Sequence, residues 1–262
     1  MSNYARTVIS LGAGVQSSAM LLMSDRGLIE RADYAVFSDT QAEPKEVYEW
    51  LEFLKSKVSI PIHVTTKGSL EEDMFNGKHF ASVPFFSLMP DGKVGMLRRQ
   101  CTYEYKIVPM HQFVRREMGC KKGERIKKYG RVLMLIGISR DEPLRAKCSR
   151  EKWIDHKHPL LDMGMRREGC IEYVEKEIGR TPPRSACMFC PYHNDNEWRR
   201  LKETDRESFM RAVEYEKRLQ KLKRWKGKPF LHRSCVDLAT VDFSNTNQLN
   251  MFNNECEGMC GV

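Results

Sequence analysis

The residues of this chain that could do chemistry fall into two groups: a glycine- and serine-rich loop near the N-terminus, and nine cysteines spread over 262 residues. The loop contains Ser10, Gly12, Gly14, Ser17 and Ser18. Glycines let backbone N–H groups approach an anion, serines donate hydroxyls, and a following helix N-terminus adds positive potential, so the loop reads as a phosphate cradle. It lacks the Gly-Lys-Ser/Thr of a Walker loop, and Ser17 stands where a dinucleotide fingerprint has its third glycine. An ordinary tight strand–helix turn is the plainer alternative. Among the cysteines, Cys187-Met188-Phe189-Cys190-Pro191 is a knuckle whose two thiolates can grip one metal centre. Cys101 is the expected third member. Three cysteines and an open position suit a [4Fe–4S] cluster; zinc with His193 as a fourth ligand, or no metal at all, are the alternatives. Cys256 and Cys260 form a second pair that a moving tail could bring to the loop as thiolate or persulfide, with Cys235 as a neighbour. Cys120, Cys148 and Cys170 stand alone and read as buried or idle thiols.

These groups must be held by something, and the hydrophobic pattern supplies it. Thr7–Leu11, Tyr34–Phe37 and Ile62–Thr65 are short β-branched or apolar runs, separated by segments with helical spacing. Val132–Ile138 is the most apolar run and predicts a central strand. Strand, loop, helix, strand, helix, strand is the pattern of a parallel, doubly wound, Rossmann-like α/β sheet covered by helices. Residues 68–100 are irregular and are expected to pass over the sheet's edge. Residues 102–118 and 168–179 predict helices, and residues 195–226 a long charged helix or a helical pair. His156 and His158 flank Lys157 and would share a face in an extended segment, but a loop is the favoured reading. The chain is expected to comprise a nucleotide-binding α/β domain over residues 1–180. A smaller helical, cysteine-bearing part with the knuckle, a basic helical segment and the tail follows over residues 181–262.

The loop, aligned on its serine as Gly12-Ala13-Gly14-Val15-Gln16-Ser17, resembles the PP-loop of ATP pyrophosphatases, with Gln16 where that family carries an acidic residue. Phe37-Ser38-Asp39-Thr40, Gly137 to Arg145, and Pro159-Leu160-Leu161-Asp162 resemble, in order, segments of the phosphoadenosine-phosphosulfate (PAPS) reductase family. The resemblance covers roughly residues 5–195. It implies an adenine-nucleotide α-hydrolase-like fold that binds ATP or PAPS with Mg²⁺ at the carboxyl ends of the strands, which is also where open parallel sheets place ligands. In this reading Ser10, Gly12, Gly14, Gln16, Ser17, Ser18 and Thr40 surround the nucleotide, Asp39 binds Mg²⁺ or nucleotide, and Arg140 and Arg145 clamp phosphates. Glu255-Cys256 is similar to the tail of PAPS reductases that carries the catalytic cysteine. One cysteine plus a Cys-x-x-Cys is similar to the layout of PP-loop enzymes that thiolate tRNA.

Composition narrows the functional classes. The 44 Lys+Arg against 35 Asp+Glu give a net charge of +9. Basic residues crowd residues 115–131 and 199–228, the latter with Trp198 and Trp225 interleaved, so nucleic acid is a candidate partner through phosphate attraction and indole stacking. No apolar run is long enough to span a bilayer and no secretory leader is apparent, so a cytoplasmic protein is expected, with its cysteines available for metal or redox work. Three functions follow. The first is ATP-dependent adenylation of a nucleic-acid base, then sulfur transfer from a cluster or persulfide. The second is reduction of PAPS or adenylyl sulfate to sulfite by Cys256, with a thioredoxin-like reductant. The third is a non-catalytic, nucleotide-gated binding module.

Overall fold

A computed structural model describes residues 4–76 and 83–244. Five parallel strands form the main sheet: β1 (Arg6–Leu11), β2 (Tyr34–Asp39), β3 (Ile62–Thr66) and, after the short strands β4 (Phe86–Leu88) and β5 (Val94–Met96), β6 (Val132–Ile136) and β7 (Ile154–Lys157). Their order is β3-β2-β1-β6-β7, so the order reverses beside β1 and leaves a crevice at the carboxyl ends. Side chains alternate across the sheet with period two. Ile9, Leu11, Ala35, Phe37, Leu133 and Leu135 face one core, closed by α1 (Val15–Asp25), α2 (Lys45–Lys55) and α6 (Arg167–Ile178). Val8, Tyr34, Val36, Val132, Met134 and Ile136 face the other, closed by α4 (Val108–Glu117). Both faces are covered, which is why these strands read as continuous apolar runs rather than alternating ones. α6 ends where Gly179 adopts φ +69°, a left-handed cap that favours glycine.

Residues 68–100 do more than pass over an edge. They contain α3 (Leu70–Phe75), β4 (Phe86–Leu88) and β5 (Val94–Met96). β4 pairs antiparallel with β5 on one side and with β8 (Lys228–Phe230) on the other. Between β7 and β8 the chain also forms a single turn, α5 (Pro159–Asp162), then α7 (Asp195–Thr204) and α8 (Arg206–Lys221). A third core gathers Leu70, Met74, Phe85 and Tyr105 with Phe189, Trp198, Phe209, Tyr215 and Leu219. The charged segment is therefore two helices: Asp205 ends α7 and its side chain accepts from the Ser208 N–H to start α8. Among the described residues no helix is long and apolar enough to cross a membrane.

Gly227 marks the closest approach in the small sheet. A Cβ there would lie 2.6 Å from the Leu88 carbonyl oxygen and 2.5 Å from Ser87 Oγ. The carbonyl belongs to a paired strand and cannot turn away. Gly227→Ala is expected to lower stability by about 1–3 kcal/mol, the usual cost of overpacking. Thermal melts of the two proteins check this, and an unchanged midpoint refutes it.

Candidate active site

β1 runs into the loop, and α1 begins at Val15. The left-handed turn falls on Ala13 (φ +56°), not on a glycine. Ser17 Oγ accepts from the N–H groups of Gly12 (3.2 Å) and Gly14 (3.3 Å), tying the loop to the first turn of the helix. Ser18 turns the other way: its hydroxyl accepts from Trp50 Nε1 at 2.9 Å and serves the α1–α2 contact. Gln16 is buried, and the first turn of α1 carries no acidic residue, so nothing there offsets the positive helix end.

Ser10, Gly12, Ser38, Lys106 and Met110 line a narrow crevice at the ends of β1 and β2. Lys106 had no marker in the sequence. It lies on a π-helical turn, Thr102–Ile107, that leads into α4. Such turns rephase a helix and are frequent at functional sites. Its ammonium is 3.0 Å from Glu43 Oε1, with the two side chains 6% and 0% exposed. The Ser38 hydroxyl donates to the Lys106 carbonyl at 2.9 Å. Asp39 Oδ1 accepts from the Gln41 N–H and from the Tyr48 hydroxyl, both at 2.8 Å, which fixes the carboxylate at the end of β2. Burial and then Asp39 push the Tyr48 hydroxyl far above the usual phenol range, so it stays a donor.

Thr40 does not line this crevice. Its hydroxyl lies 3.4 Å from Cys187 Sγ. Cys187 Sγ also donates to Glu43 Oε1 at 3.8 Å, and the Met188 N–H bonds to the Ala42 carbonyl at 2.8 Å. The knuckle is thus stitched to residues 40–43. Cys101, Cys187 and Cys190 line one small cavity with Leu70, Val83 and Phe189. Among the described residues, no three His, Cys, Asp or Glu side chains are placed to hold a metal ion. His193 does not face the cavity as a ligand: its Nε2 donates to the Cys187 carbonyl at 2.9 Å, and burial pushes its pKa down to about 4.

Arg140 is exposed and its N–H holds the Met165 carbonyl. Arg145 pairs with Glu142 and lines a separate cavity of ≈ 230 Å³ at the ends of β6 and β7. That cavity also takes His111, His156 and His158. The expected loop at His156 is strand β7, whose pairing with β6 brings His156 opposite Met134. Cys148, read as idle, is exposed and lines the same cavity. Cys120, Cys170 and Cys235 are buried. Cys256 and Cys260 lie outside the described residues.

The second basic segment is largely engaged within the molecule. Arg200 pairs with Glu46 and Glu197, Arg211 and Arg218 with Glu71, and Arg224 donates to the Met74 carbonyl. Trp198 is 0% exposed, and Trp225 packs edge-on to Phe85. Trp198 is enclosed in the third core and offers no stacking face, and Trp225 packs half-buried against it.

A doubly wound parallel sheet with a glycine loop at its switch point and a second loop after the neighbouring strand defines a nucleotide-binding α/β protein. The phosphoadenosine phosphosulfate reductase domain family matches residues 6–165, more than half of the chain, and the chain belongs to this family. A solved structure of phosphoadenylyl-sulfate reductase from Candida auris, a phosphate complex, is similar at 17% identity. The match covers 67% of this chain and 73% of that one, with a TM-score of 0.41. No curated protein sequence matches.

Proposed function

We propose that the chain is an adenine-nucleotide-dependent sulfur-transfer enzyme acting on a nucleic-acid base. The observation that carries this reading is the contact of Cys187 with Thr40 and Glu43: a thiol sits against the segment that follows Asp39, beside the crevice. ATP would lie with its phosphates at Gly12, Gly14 and the α1 N-terminus, near Lys106, and with Mg²⁺ at Asp39. A carbonyl oxygen of the base attacks the α-phosphorus and pyrophosphate leaves. The terminal sulfur of a Cys187 persulfide, supplied by a sulfur donor, attacks the adenylated carbon and AMP leaves. The Cys190 thiolate then cleaves the S–S bond, releasing the thiolated base and leaving a Cys187–Cys190 disulfide. A thioredoxin-like dithiol reopens it. Cys101, Cys187 and Cys190 are the residues that a [4Fe–4S] cluster or zinc would use; iron, zinc and acid-labile sulfide analysis after anaerobic purification separates these from bare thiols.

The family match favours a second reading, reductive release of sulfite. Cys256 would attack the sulfonate sulfur of PAPS, the adenosine bisphosphate would leave, and a second thiol would release sulfite. Incubating the full chain separately with ATP plus tRNA or DNA, and with PAPS plus a dithiol, decides between them. Pyrophosphate release in the first mixture and, with a sulfur donor added, a thiolated base are expected; Cys187→Ser should lose the thiolated base while still releasing pyrophosphate. Sulfite from the second with no pyrophosphate from the first overturns the sulfur-transfer reading. Tight ATP binding with neither product identifies a nucleotide-gated binding module.

A further inference from the structure

The ≈ 230 Å³ cavity at the ends of β6 and β7 shares no lining residue with the loop or the crevice. The two are neighbours across one helical segment: Lys106 and Met110 line the crevice, whereas Ile107 and His111 line the cavity. Its walls combine apolar, imidazole and cationic groups with the carboxylate of Glu151, which accepts from Trp153 Nε1 at 3.0 Å. Ile107, Ile136 and Ile138 are apolar. His111, His156 and His158 each bury an Nε2 that has no protein hydrogen-bond partner. The Nδ1 of His156 lies 2.8 Å from the Lys147 carbonyl and must donate to it, so its Nε2 is left as an acceptor. Lys147 and Arg150 add cationic groups beside Arg145.

Three unsatisfied imidazole nitrogens in one cavity need partners. An apolar slot with the His156 acceptor, two further unpaired imidazole nitrogens and cations beside it fits a flat heterocycle with a hydrogen-bonding edge, joined to an anion. The volume falls below the roughly 300–1,000 Å³ of pockets that enclose drug-sized ligands, which suits one ring system with its phosphate held outside. We propose that this cavity binds the acceptor substrate: a nucleobase whose hydrogen-bonding edge meets His111, His156 and His158 and whose 5′-phosphate meets Lys147 and Arg150. The proposal rests on the sulfur-transfer reading, in which a second substrate must lie beside the nucleotide.

Cys148 reports on occupancy, because among the described residues it is the exposed cysteine and it lines the cavity. The full chain, saturated with a non-hydrolysable ATP analogue, is alkylated with iodoacetamide, and the Cys148 peptide is followed by mass spectrometry. The probes are the four nucleoside 5′-monophosphates, single-stranded DNA and RNA oligonucleotides, and inorganic phosphate. At least one nucleotide or oligonucleotide is expected to protect Cys148 saturably. His156→Leu should weaken that protection about tenfold, the effect of one lost hydrogen bond, while leaving analogue binding intact, which also shows that the variant folds. Protection by a mononucleotide identifies a free nucleotide as acceptor; protection by oligonucleotides alone identifies a base presented by a strand. Three results overturn the proposal: no protection by any probe, equal protection by phosphate alone, or full protection by the ATP analogue alone, which would place its own adenine there. If the analogue does not bind at all, the sulfur-transfer reading fails instead.

Discussion

Replacing Lys106 with methionine is expected to destabilise the protein by about 3–5 kcal/mol, because it strands a buried carboxylate. Glu43 is 0% exposed at its side chain, its Oε1 relies on Lys106 at 3.0 Å, and its Oε2 has no protein hydrogen-bond partner. The remaining contact of Oε1, Cys187 Sγ at 3.8 Å, is a weak donor and cannot replace an ammonium. For a chain of this size the loss corresponds to a fall in melting temperature of roughly 10 °C. Lys106→Met/Glu43→Met removes both charges and should recover most of the stability, since paired buried ions are often replaceable by apolar groups of similar volume. Nucleotide affinity should behave differently. Lys106 lines the crevice with Ser10, Gly12 and Ser38, so both the single and the double variant should bind ATP or PAPS weakly. Melts and equilibrium dialysis on the four proteins of the cycle separate the two roles. Full nucleotide affinity in the double variant would show that Lys106 only balances Glu43.

The second large effect is a loss of stability in mild acid. Burial pushes the His111 imidazole down to about 4, Glu151 opposes the shift, and the charge of His156 reinforces it. His156 and His158 are lowered by burial too, opposed by Asp155 and Asp162 respectively. A histidine whose folded pKa lies below its ordinary value of about 6.5 is neutral in the fold, so unfolding takes up a proton. Its contribution is complete above pH 6.5 and is lost as the pH falls from 6.5 towards 4. For His111 alone the loss near pH 4 is about 3 kcal/mol, at about 1.4 kcal/mol for each pH unit. Urea midpoints measured between pH 7.5 and 4.5 should fall throughout the lower half of that range. His111→Gln should flatten the slope by about one proton. A slope unchanged by that substitution would show that His111 is already charged in the fold.

How much of this was legible in the residues varies with the range of the interactions involved. The strand at Thr7–Leu11, the loop, the helix after it and the strand ending in Asp39 follow from local pattern: β-branched runs, a glycine turn and apolar periodicity act within ten or so residues. The parallel sheet follows from their alternation, and the pairing of Cys101 with the knuckle follows from the expectation that residues 68–100 return near it. Directions of side chains did not follow. Ser18 and Thr40 are polar residues in a plausible cradle, yet neither lines the crevice: one serves Trp50 and the other Cys187. Trp198 sits among cations in the sequence but closes a core in space, since an amphipathic helix does not declare what its apolar side will meet, and Trp225, beyond the end of α8, packs half-buried against the same core.

Composition and local spacing alone point to a glycine- and serine-rich loop on a parallel sheet and single out Cys101, Cys187 and Cys190, which line one cavity in the fold. Long-range pairing decides the rest. β4 meets β8 across 140 residues of chain, β7 turns an apparent loop into a strand that brings His156 into one cavity with His111 and His158, and the π-helical turn carries Lys106 into contact with Glu43. A buried ion pair and a cavity exist only where several distant segments exclude water together, and no window of neighbouring residues contains that information.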